Sequence, residues 1–86
     1  MDNPLGRQTS QLVHFGQLVA LGEGGPAREH ARAARRAGAS LAQLLGVVEL
    51  ALITSGMPAY GLGVEILTEM AGEDSGGVPA AGPAGS

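Results

Sequence analysis

Residues 40–56, SLAQLLGVVELALITSG, decide the fold. Ser40 is followed three residues later by Gln43. This is the pairing of a capping box, in which the hydroxyl accepts from the N3 backbone N–H and the amide reaches back to the N-cap N–H. The apolar run LLGVVELALI follows, and Gly56 stops it. The pattern predicts a helix that Ser40 caps and that runs to Thr54 or Ser55. Leu, Val, Ile and Ala fall on every side of it, with Gln43, Glu49 and Thr54 as the interruptions. A helix that is apolar all round must be covered all round. Glu49 breaks the run, which is in any case far short of the ~20 residues that span a bilayer.

Working outward, a first helix is predicted from Gly6 or Arg7 to Leu21. Its apolar face holds Leu12, Phe15, Leu18 and Val19, with Gln11 among them. Residues 22–25, GEGG, end it. A second helix starts with Pro26 at its first position, where the missing N–H costs nothing, runs to about Ala37 and stops at Gly38. Arg28, Arg32, Arg35 and Arg36 share one of its faces. Ala27, Ala31, Ala33, Ala34 and Ala37 surround His30 on the other. Met57 and Pro58 open a fourth helix that ends near Ala71. It carries Tyr60, Leu62, Ile66, Leu67 and Met70, and an acidic stripe of Glu65, Glu69 and Glu73. No strand is readable. The expected fold is all-α, a small bundle of about four helices, and oligomeric. Only Phe15 and Tyr60 are aromatic, and one core of about seventy residues rarely supplies more than ~3–5 kcal/mol. Three short neighbours would not cover the apolar helix. Residues 1–71 read as the helical domain and 72–86, GEDSGGVPAAGPAGS, as a disordered tail.

The chain of 86 residues has no cysteine, which excludes thiol catalysis, cysteine metal sites and disulfides. A net charge of −3 argues against a general nucleic-acid binder. The first ten residues lack a basic segment followed by an apolar run, so a cytoplasmic protein without membrane contact is expected. Gly61-Leu62-Gly63 has no strand before it and is not a dinucleotide loop. Two histidines without nearby carboxylate spacing make no metal site, and no cofactor is expected. All five basic residues are Arg, a choice attributed to genome base composition.

The candidate site residues follow from burial. Gln11 and His30 each fall in the middle of an apolar face. An unsatisfied buried polar group costs roughly 1–3 kcal/mol, so the two are expected to share a polar site. His30 can act as general acid or base, or be a core imidazole bonded to a carbonyl or to Gln11. Gln11 can orient His30, hold a carbonyl substrate, or only satisfy the ring. Glu49, flanked by Ala42, Gly46 and Ile53, is a buried acid or the partner of an arginine in another subunit. Glu23 is a carboxylate just ahead of the second helix, favoured there by the helix N-terminus and expected to be exposed. Tyr60 is a donor at the pocket or a core ring. Arg28 and its stripe form a solvated face, pair with the acidic stripe within or between chains, or bind an anionic substrate.

Three segments carry a resemblance: LGRQTSQLV at 5–13, HARAARRAGASLAQL at 30–44 and SGMPAY at 55–60. In order and spacing they resemble the carboxymuconolactone decarboxylase and alkylhydroperoxidase D superfamily. The chain is shorter than the usual members of either branch. At the positions of the peroxidase dithiol stand Glu23 and Pro26, and the family's relay glutamate falls on Gln11, an amide that takes up no proton near neutral pH. Thiol-based peroxide reduction is thereby excluded. The resemblance implies the cysteine-less decarboxylase-like branch, and with it a cofactor-free lyase or isomerase acting on a small acid, lactone or enolisable ketone. His30 would move the proton, with Gln11 and Glu23 beside it, Glu23 at the edge of the site, and Tyr60, Glu49 and Arg28 toward the substrate. It also implies a trimer or hexamer. The alternative is a non-catalytic descendant: an oligomeric ligand-binding, structural or partner subunit.

Overall fold

The computed structural model describes residues 3–74. It contains four helices, α1 (Arg7–Leu21), α2 (Gly24–Arg36), α3 (Leu41–Ser55) and α4 (Met57–Asp74), and no strand among the described residues. The capping box closes as expected. Ser40 Oγ accepts from the Gln43 N–H at 3.0 Å, and Gln43 Oε1 accepts from the Ser40 N–H at 2.9 Å.

Glycine ends α2. At Gly38, φ is 101°, and two backbone bonds close the turn: Gly38 N–H to the Arg35 carbonyl and Ala39 N–H to the Ala34 carbonyl, each at 2.9 Å. A left-handed glycine with this bond pair satisfies the last carbonyls of a helix. Gly22 does the same for α1, and the Glu23 N–H reaches the Leu18 carbonyl at 2.9 Å. The Glu23 carbonyl then accepts from the Ala27 N–H, so α2 starts two residues ahead of Pro26, at Gly24. Pro26 fits there because none of the first N–H groups of a helix has a partner within it. At the far end, α4 continues three residues past Ala71, where Glu73 and Asp74 reach arginines of α2. Residues 72–74 are therefore helical. Residues 75–86, the rest of the expected tail, lie outside the described residues.

Helix α1 packs against α2 and α3, and α3 against α4, while α4 touches α1 and α2 more lightly. The core joins Phe15 and Val19 with Ala27, Ala31 and Ala34, then Leu44, Val48 and Ala51, then Ile66 and Met70. Close approach to α3 uses a glycine on each side. A Cβ on Gly16 of α1 would lie 2.8 Å from Val47 Cγ1, and one on Gly63 of α4 would lie 2.6 Å from both methyls of Val48. With only two close neighbours, α3 keeps one side uncovered: Leu45 is 40% exposed, Leu50 64% and Ile53 81%.

Candidate functional site

The alanine stripe of α2 positions the site. Ala27, Ala31 and Ala34 are fully buried, and their small side chains let α2 lie close to α1 beside Phe15 and Val19. His30 sits at the edge of that stripe and Gln11 at the matching edge of α1. His30 Nδ1 lies 2.6 Å from Gln11 Oε1. The two residues meet, but neither lies in the middle of a buried face. Both are half-buried, and no described polar residue falls in the buried class. The buried arc is narrow because only alanines face α1, which leaves the larger ring at its rim.

This contact fixes the chemistry of the ring. An amide oxygen accepts and cannot donate, so in the neutral imidazole Nδ1 carries the hydrogen and Nε2 keeps its lone pair. His14, one turn along α1 from Gln11, lies against the same ring. The His14 and His30 ring centroids are 4.1 Å apart with their planes tilted by 36°. Gln11 and His14 also line a groove of about 710 Å³ along α1, together with Asn3, Arg7, Ser10 and Gln17. No described acidic residue lines it. Ser10 Oγ is buried and has no hydrogen-bond partner, and no side chain caps the start of α1.

The other expected site residues stand apart from this pair. The Glu23 side chain is exposed, and its backbone joins α1 to α2. Tyr60 is half-buried and packs against the core. Glu49 is exposed on the uncovered side of α3. Arg28 is engaged by two carboxylates, Glu65 at 3.0 Å and Glu69 at 2.8 Å. Arg32 pairs with Glu73 at 2.9 Å, and Arg35 with Asp74. The arginine stripe thus pairs with the acidic side of α4 within the chain. The Arg28 hydrogen bond holds the Glu69 carboxyl below its ordinary range, and Glu69 in turn holds the Arg28 guanidinium above its own. Glu73 raises Arg32 in the same way.

Sequence reasoning missed His14, Ser10 and Arg7. The signal was present, because residues 7, 10, 11, 14 and 17 share one side of a helix. That side is polar, and a polar side of a helix reads as solvated unless a neighbouring helix brings a partner to it. No group of three or more His, Asp or Glu side chains able to hold a metal ion occurs among the described residues, and no described helix is long and apolar enough to cross a membrane. The fold and site together define an all-α protein with an amide-anchored imidazole pair beside an open polar groove. No family model, curated protein or solved structure matches the chain.

Proposed function

We propose that this chain is a cofactor-free proton-transfer enzyme of the carboxymuconolactone decarboxylase-like kind, a lyase or isomerase acting on a small acid, lactone or enolisable ketone. The supporting observation is the 2.6 Å contact between His30 Nδ1 and Gln11 Oε1. It leaves Nε2 as a base, with His14 beside the ring and an open groove leading along α1. A general base of this type contributes about 10²–10⁴-fold in rate. The test follows loss of C–H signal by proton NMR in heavy water for a panel of 2-oxo acids, β-keto acids and unsaturated lactones. His30→Gln should abolish the exchange while circular dichroism stays unchanged. Exchange equal in the variant and the original would remove His30 from the reaction.

The uncovered side of α3 favours a second element of the reading. Leu45, Leu50 and Ile53 are large, apolar and exposed, and apolar grooves of about 410 and 320 Å³ flank the helix on its α4 and α1 sides. The protein works as a homo-oligomer, a trimer or hexamer, located in the cytoplasm. If the panel shows no exchange, the same assembly describes a non-catalytic ligand-binding or partner subunit. Sedimentation at micromolar concentration checks the assembly, and a folded monomer there defeats it.

A further inference from the structure

The arginine stripe of α2 is committed to α4, so it offers no cation to a ligand. Arg7 differs. It lines the groove on α1 and has no ion-pair partner among the described residues. Three further features lie beside it. Ser10 Oγ is buried without a partner, whereas a helical serine ordinarily bonds the carbonyl four residues back. Gly6 holds the N-cap position and supplies no side chain to the first N–H groups of α1. The groove wall holds hydrogen-bond donors and no described carboxylate. A free guanidinium, an unused hydroxyl and uncapped N–H groups at the positive end of a helix dipole all favour negative charge.

We propose that the Arg7 end of this groove is an oxyanion site that takes the carboxylate or phosphate group of a small molecule. Arg7 and the first N–H groups of α1 hold the charge, and Ser10 donates its hydroxyl. Two helical turns, about 10 Å, separate Arg7 from His14 along the axis. A ligand of that length anchored at Arg7 lies along α1 with its far end at Gln11 and His14, the two side chains that contact His30. As a statement about the substrate this rests on the proton-transfer reading above. As a statement about binding it stands by itself.

The test uses the full chain, labelled with nitrogen-15, at constant ionic strength. Inorganic phosphate, acetate and neutral acetamide are titrated separately, following the amide signals of residues 7–10. One or both anions should shift these signals and saturate with a dissociation constant on the order of 1–10 mM, and acetamide should not. The tighter of the two names the source of the charge, and equal binding means a site for either. Arg7→Gln should weaken binding at least about tenfold, the equivalent of one charge-assisted contact. Arg36→Gln, at another exposed arginine with no ion pair among the described residues, should leave it unchanged. Equal shifts with acetamide, no effect of Arg7→Gln, equal weakening by Arg36→Gln, or no saturation by either anion would each overturn the proposal. Binding by a protein that exchanges no C–H bond would sink the enzyme reading and leave this one standing.

Discussion

A single acceptor, Gln11 Oε1, decides which nitrogen of His30 carries the hydrogen. Replacing it with an apolar residue of similar size isolates that effect. In Gln11→Leu the ring loses its partner at a half-buried position. The change should cost about 0.5–1.5 kcal/mol, the net worth of one hydrogen bond. For a domain of this size that is several degrees of melting temperature, at about 4–8 °C per kcal/mol. Nitrogen-15 spectra of the imidazole should then change from one neutral tautomer to a mixture. A single unchanged tautomer would show that Gln11 does not set it. His14 is exposed, so His14→Ala should stay within about 0.5 kcal/mol of the original stability. The same variant should remove the ring-current shift from the His30 protons. A larger stability loss would mean that the ring pair is structural.

Between elements, two effects of opposite sign compete at the glycines. Alanine is better than glycine inside a helix by about 0.8–1.0 kcal/mol. At Gly61 nothing lies within 4 Å of an added Cβ, so Gly61→Ala should raise stability by that amount alone, several degrees of melting temperature at about 4–8 °C per kcal/mol. At Gly63 the same Cβ lands 2.6 Å from the Val48 methyls of α3. Overpacking typically costs 1–3 kcal/mol, which outweighs the propensity gain, so Gly63→Ala should melt lower. Matched melting curves decide it, and a stabilised Gly63→Ala would mean that α4 has room to shift. The arginine–carboxylate ladder between α2 and α4 is governed by pH. The Glu69 carboxyl is held below its ordinary 4.5 by Arg28, so its contribution is complete above pH ~4.5 and is lost as pH falls through the lower folded value. Melting temperature should therefore drop on acidification below that point. The drop should be smaller in Arg28→Gln, and smaller again in high salt, which screens exposed pairs. Equal acid sensitivity with and without Arg28 would rule out the ladder as its source.

For the whole molecule, the uncovered side of α3 is the open question that mutation can answer. Gly46 lies among Ala42, Leu45, Glu49 and Leu50, and nothing stands within 4 Å of a Cβ built on it. Gly46→Leu should leave the protomer helical but shift sedimentation toward smaller species if another copy covers this side. An unchanged oligomer would place the interface elsewhere. Much of the architecture was legible because its punctuation is local. Ser40 with Gln43, Gly22, Gly38 and Gly56 each act through bonds a few residues long. The start of α2 was misread because Pro26 suits any first-turn position, not only the first. The end of α4 was missed because Glu73 and Asp74 are ordered by arginines some forty residues away, which no local pattern encodes. The Gln11–His30 contact could be anticipated because both border the apolar faces that α1 and α2 press together. His14 interrupts nothing, and its place beside His30 depends on how α1 and α2 cross. The turn at residues 37–40 has one more consequence. It lies between two helical pairs, α1 with α2 and α3 with α4, which meet mainly through the contact of α1 with α3. Both helix ends at this turn are closed by their own local bonds, so neither needs the intervening peptide link to hold its shape. The chain should therefore survive being expressed as two separate peptides divided between Ala39 and Ser40, which would find each other and restore the helical signal on mixing.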